Sequence, residues 1–386
     1  MSTTDTINPL LDLHRQAEAE FQAYGPAEIV STFGEPQAEY GAVRKACGMI
    51  DQPQRAIVEI SGKDRLTFLN NLLTNQTWDK QSKSGPAGGS GVYAYLLHAK
   101  NGRIMLDTNV LERGDRTLLD IDRRLVQLFI AALSKYHFAE AIEIHDRSPE
   151  FRQIALHGPG SVSLLEQACD GSVILPTAQL HSTSARILGH EIVAWRDDIC
   201  AVPGFHLIVE TAQVRAIWMQ LLTRFSAGAE IGKRPLRPIG WAAFNATRIE
   251  AGRAMFGIDF DETFLPAETG RLQMARAVSF TKGCYPGQEI VARMHARSQV
   301  ARQIVGFKMD DEALPIAGAQ IFDEQSNVIG AVTSSTISPI LSGASIGLAL
   351  VKRSHTDAGK SVQIPAEGSI RTARVVELPF IKGAST

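Results

Sequence analysis

From residue 303 to the C-terminus, apolar residues come in short runs, at 304–307, 319–322, 328–332, 346–351 and 373–376, with turn-forming residues between them. Runs of that length cannot build helices of three turns. Closely spaced short strands joined by turns settle most readily into a small antiparallel barrel, which closes its own edges. A domain boundary is therefore expected near 303, with the barrel over 303–386.

Upstream the texture differs. The run 56–60 is strand-like, and Ser61-Gly62-Lys63-Asp64 offers a turn and a cap to a helix with Leu66, Leu69, Leu72 and Leu73 on one face. The same order recurs at 154–161, where an apolar strand meets a Gly/Pro turn and a helix carrying Leu164 and Leu165. Strand followed by helix, twice, predicts two similar α+β halves, about 31–150 and 151–302. Leu10, Leu13, Ala17 and Phe21 recur at helical spacing, which predicts an amphipathic helix over 10–24 in an N-terminal extension, 1–30. The Ser- and Gly-rich stretch 80–91 reads as a mobile loop. A length of 386 residues, at roughly 150 per domain, suggests two or three domains.

Composition narrows the function classes. Apolar residues make up 44% and charged residues 21%, and the formal net charge is -2. No overall basic field would hold a nucleic-acid backbone, although Lys233, Arg234 and Arg237 could meet one small anion. The four cysteines, at 47, 169, 200 and 284, include no CxxC pair, so neither a zinc site nor a disulfide framework is readable. His98, His206 and His295 show no ligand spacing, and no metal site is assigned. Without a basic leader or an apolar run of about 20 residues, the expectation is a cytoplasmic protein with no membrane partner.

One stretch stands apart: Phe280-Thr-Lys-Gly-Cys-Tyr-Pro-Gly-Gln-Glu289, followed by Arg293, His295 and Arg297. Gly283 and Pro286-Gly287 make a tight turn that lifts Cys284 out of regular structure. Lys282, two residues away, would favour its thiolate, and Glu289 would oppose it if closer. Cys284 could equally be a small apolar filler in the turn. His295 is a conceivable proton partner for it.

KGCYPGQE with its basic tail resembles the signature of the YgfZ family, within the superfamily of the glycine-cleavage T-protein. The likeness extends through Tyr136-His-Phe, Gly102-Arg103 with Asp107, Gly204-Phe-His-Leu and Arg248-Ile-Glu-Ala-Gly252, nearly the whole chain. It implies an α+β, three-lobed fold: two α/β halves around a central folate pocket and a C-terminal antiparallel β-barrel. It also implies bound folate, as tetrahydrofolate or a one-carbon derivative. The implied function is assistance in iron–sulfur cluster assembly or repair, with A-type cluster carriers and cluster enzymes as partners. Cys284 would be the functional thiol beside Lys282, in a motif completed by Gly283, Tyr285, Gly287, Gln288, Glu289 and Arg293. Arg248 and Asp107 are the implied folate contacts.

The T-protein pattern is not kept intact. Where T-proteins carry the acid that organises folate chemistry this chain has Met105, which cannot carry a proton; Asp107 lies two residues on. Val202 stands for the acid that contacts the pterin, and Phe244 for the arginine that pairs a folate carboxylate. A second reading is a tetrahydrofolate-dependent aminomethyl- or methyltransferase that uses Asp107 or another acid. A third is a binding module within a larger oxidase assembly.

Overall fold

The computed structural model describes residues 8–79, 81, 84–85, 88–226, 235–297 and 300–382. The chain divides into two compact units. The first comprises Met1–Leu69, Thr77–Tyr93 and Thr108–Phe244; the second comprises Asn70–Gln76, Ala94–Asp107 and Asn245–Thr386.

The first unit begins with a short helix α1 (Leu11–Gln16) and a hairpin of β1 (Glu20–Tyr24) and β2 (Ala27–Thr32). The helix expected over 10–24 is thus half strand. Glu18 takes a left-handed conformation, φ 54°, which ends the helix, and Gly25 (φ 58°) turns the following segment back on itself. Leu10 is fully buried in the core of this unit, and His14 is buried against Asp51, 3.0 Å away.

The elements α2 (Pro36–Lys45), β3 (Gly48–Asp51), β4 (Arg55–Ser61) and α3 (Arg65–Leu72) follow. Next come β5 (Gly91–Leu97), β6 (Ile104–Glu112), β7 (Arg116–Asp122), α4 (Val126–Ser134) and β8 (Glu143–Asp146). One sheet has the order β5-β6-β7-β4-β8. The division between units falls inside α3, β5 and β6, whose ends belong to different units.

A second sheet is built from β9 (Phe151–His157), β10 (Ser182–Ile187), β11 (His190–Arg196) and β12 (Gly204–Glu210), with β3 and the two-residue β13 (Arg237–Pro238). Its order is β10-β11-β12-β9-β3-β13, antiparallel except where β13 joins β3. Helices α5 (Ser161–Ala168) and α6 (Val214–Ser226) bury Leu164, Leu165, Ile217, Trp218 and Leu221 in one core with Ile154, Leu156, Phe205 and Leu207 of this sheet. Strand then helix occurs twice, as β4–α3 and β9–α5, as expected.

Of the 80–91 stretch, Lys80, Ser82, Lys83, Pro86 and Ala87 lie outside the described residues. Its described parts are tied down: Asp79 and Ser84 exchange backbone hydrogen bonds, and Gly89 N–H donates to the Glu112 carbonyl at 2.8 Å. Lys233 and Arg234 also lie outside the described residues, while Arg237 is ion-paired with Glu35.

In the second unit, α7 (Trp241–Glu250, from Asn245), α8 (Arg271–Ala277) and α9 (Gln288–Arg297) precede a closed barrel. The barrel strands are β14 (Arg302–Met309), β15 (Gln320–Phe322), β16 (Val328–Ser338), β17 (Ala344–Lys352), β18 (Ser361–Ala366) and β19 (Ser369–Val376). They close in the order β14-β17-β16-β15-β18-β19, as the run spacing predicted. Five strands match the apolar runs. The sixth, β18, buries Val362, Ile364 and Ala366 alternately with less buried neighbours, a period-2 pattern without a contiguous apolar run.

Candidate functional site

Every residue singled out in the motif belongs to the second unit. Lys282 is 7% exposed, and its ammonium donates to the carbonyl oxygens of Asn70, at 2.5 Å, and Leu73. These are carbonyls at the C-terminal end of α3, where the helix leaves acceptors unmet and a partial negative charge, so a buried cation is favourable there. The Lys282 ammonium also lies 4.7 Å from the centre of the Tyr285 ring. Tyr285 is itself buried, and burial pushes its phenol up to about 12. Lys282 therefore serves the helix end.

Around this cation the segment is bound by Thr74. Its hydroxyl donates to the Ala277 carbonyl at 2.7 Å and accepts from Tyr95 N–H at 2.8 Å, while Ser279 N–H donates to the Thr74 carbonyl. The tight turn forms as expected. Gly287 has φ 82°, and a Cβ there would lie 3.1 Å from the Cα of Gly102 and 3.2 Å from the His98 carbonyl oxygen. Gly102 has φ 65°, and its own Cβ would meet Ile290 at 3.0 Å. Motif and β5–β6 hairpin thus touch backbone to backbone, a contact that two glycines allow.

Cys284 is exposed, with Gly283 half-buried beside it. Gln288 and Glu289 open α9, the first half-buried and the second exposed; Arg293, one turn on, is exposed. His295 stacks on Phe280, with ring centres 3.9 Å apart.

Met105 and Asp107 lie half-buried on one face of β6, while Ile104 and Leu106 are fully buried on the other. The two-residue offset therefore keeps the carboxyl on the face that the missing acid would use.

Arg248 is placed otherwise than expected. It is fully buried, paired with Asp259, and donates to Asn245 Oδ1 at 2.9 Å, the Arg253 carbonyl at 3.1 Å and Ser334 Oγ at 2.7 Å. Asp259 also accepts from Thr333 and Ser334, so α7 and β16 are joined through a desolvated ion pair. A guanidinium so engaged is a structural tie, and the expected folate contact through Arg248 is withdrawn.

Sequence reasoning missed a polar layer inside the first unit. Asp120 on β7 accepts from Arg55, from Asn109 Nδ2 at 2.9 Å and from Gln153 Nε2 of the other sheet at 2.6 Å. On that sheet His206 stacks on Trp195 with ring centres 4.1 Å apart and is hydrogen-bonded to Gln52 at 2.9 Å. The ring of His157 lies 5.6 Å from both His206 and Phe244. Burial holds His157 down at about 3, so it is neutral and presents one donor and one acceptor. Among the described residues, both His157 ring nitrogens, Trp195 Nε1, Gln153 Oε1 and Asn109 Oδ1 have no hydrogen-bond partner. Buried polar atoms of this kind ordinarily meet a ligand or ordered water. The readable signal was polar residues within apolar strands, as in Gln153 and His157 of β9.

Two domain families match this chain: the GCVT N-terminal domain over residues 10–282 and the glycine cleavage T-protein C-terminal barrel domain over residues 302–382. The chain belongs to the glycine-cleavage T-protein superfamily. The aminomethyltransferase of Bacillus subtilis (strain 168) is 27% identical over 97% of this chain and 98% of its own length. That of Chlorobium phaeovibrioides is 26% identical over 96% and 97%. Among solved structures, the glycine cleavage system aminomethyltransferase T of Bartonella henselae superimposes with a TM-score of 0.83 at 23% identity, covering 97% of this chain and 98% of that one, which establishes the T-protein-like fold. These findings overturn the iron–sulfur maturation reading and give no support to A-type carriers or cluster enzymes as partners: relatives that match this chain from end to end are aminomethyltransferases. No helix among the described residues is long and apolar enough to cross a membrane.

Proposed function

We propose that this chain is a tetrahydrofolate-dependent aminomethyltransferase. The observation that carries the proposal is the match to proteins of that name across 97% of this chain and 98% of theirs. KGCYPGQE makes the chain YgfZ-like in sequence within its family, and in this reading the motif is a support for the β5–β6 hairpin.

Tetrahydrofolate would supply the nitrogen that accepts the one-carbon unit. His157, Trp195, Gln153 and Asn109 would hold the pterin by neutral hydrogen bonds, because these atoms are buried and uncharged. Asp107 is the carboxyl offered for holding or moving a proton, since Met105 can do neither. Free cysteines and a reduced folate both suit the cytoplasm, where we take the protein to work.

Release of the amine from an aminomethyl donor in the presence of tetrahydrofolate tests the proposal. Asp107→Asn should lower turnover by about 10²-fold or more, the usual size of a lost acid–base group. Met105→Asp should raise it by restoring the acid. A folded native chain that neither binds tetrahydrofolate nor releases amine would refute the reading.

A further inference from the structure

A concavity lies wholly in the second unit and uses none of the candidate site residues described above. It encloses about 540 Å³ between the start of α8, strand β14, the turn at 353–358 and the end of β19. That volume falls in the range of roughly 300–1,000 Å³ common for small-molecule sites. Ala254, Leu272, Ile304, Val305, Val376 and Leu378 give it an apolar lining.

Four charged side chains stand on this wall, two of each sign: Arg271 and Arg353, Asp357 and Glu377. Among the described residues none of the four is ion-paired, with one another or with any other charge; Arg353 donates to Thr356 Oγ1 at 3.0 Å. Opposite charges that share a cavity without pairing leave both signs to a ligand. A dianion would be repelled by the two acids and a simple amine by the two arginines, whereas a molecule bearing both charges satisfies each pair. Guanidinium groups suit a carboxylate in particular, since they can donate two parallel hydrogen bonds to it.

We propose that this groove binds a small zwitterion with an apolar body, an aliphatic α-amino acid, its carboxylate met by Arg271 and Arg353, its ammonium by Asp357 and Glu377, and its side chain by the apolar lining. The inference stands on the second unit alone and does not depend on the transferase reading.

L-leucine is the probe, titrated into the full-length protein and followed by calorimetry or ligand-observed NMR. It should bind at low-millimolar concentration or better. Two analogues each lack one charge: 4-methylpentanoate lacks the ammonium and isopentylamine lacks the carboxylate. Each should bind about tenfold more weakly or worse, because one charge-assisted contact set is lost. Glycine, without the side chain, should also bind more weakly. The double variant Arg271→Gln, Arg353→Gln should lose leucine binding while its circular dichroism is unchanged. The proposal is overturned if leucine does not bind at millimolar concentration, if either analogue or the dianion glutarate binds as tightly, or if the folded double variant binds leucine like the native chain. The analogue comparison decides the matter even if the double variant does not fold.

Discussion

Lys282 and Cys284 are two residues apart and do different work. The lysine is buried, with its ammonium on the last carbonyls of α3; the cysteine is exposed. Lys282→Met keeps the apolar stem and removes the cation, leaving buried acceptors unmet at a cost of about 1–3 kcal/mol. Cys284→Ala, at an exposed turn, should stay within about 0.5 kcal/mol of the native chain. Chemical denaturation of both variants would separate the roles. An inert Lys282→Met would show that the helix end does not need the charge. His157 adds a pH dependence of known sign. Its folded value of about 3 lies below the usual 6.5, so between these values the unfolded chain binds a proton that the folded one refuses. Stability should therefore fall as pH drops from about 6.5 towards 3, by up to about 1.4 kcal/mol per pH unit from this group. In His157→Phe the slope over that window should be shallower by up to the same amount. An unchanged slope would mean that this imidazole is protonated in the fold.

At the scale of elements, the motif is a buttress. Gly287 and Gly102 let the turn before α9 lie against the β5–β6 hairpin, whose outgoing strand carries Met105 and Asp107. Gly287→Ala meets two obstacles, the left-handed φ of 82° and neighbouring backbone 3.1–3.2 Å from the new carbon. The variant should lose about 1–3 kcal/mol by thermal or chemical unfolding. If folate turnover depends on the position of Asp107, kcat should drop by more than KM rises; a Gly287→Ala chain as stable as the native one would remove the buttress. Elements also show where local patterns mislead. Residues 10–24 satisfy a helical period, yet the second half pairs as β1, because antiparallel partners in β2 were available and Glu18 could turn the chain.

For the whole molecule, the barrel, the repeated strand–helix order and the superfamily were legible in the sequence, the YgfZ-like subfamily not being borne out by the relatives found. Short apolar runs between turns restrict the backbone whatever surrounds them, and KGCYPGQE with its accompanying segments is long enough to point to one superfamily. The tight turn at Gly287 was legible too, since glycine and proline act locally, whereas the sequence left Cys284 open between a reachable thiol and an apolar filler. The iron–sulfur role was inferred from the motif and failed: a motif reports relatedness, and its chemistry depends on where its side chains reach. That Lys282 caps a helix end, that Arg248 is buried against Asp259, and that His157 joins Trp195, Gln153 and Asn109 in a polar layer follow from contacts between residues up to 212 positions apart. The sequence by itself determined most of the segments that become strands, helices and turns, because those choices rest largely on spacing and backbone preference, although residues 20–24 took their strand form from pairing with β2. The tertiary structure decided which polar groups are spent on holding the fold and which remain for a ligand, because that depends on burial and on partners brought from elsewhere in the chain.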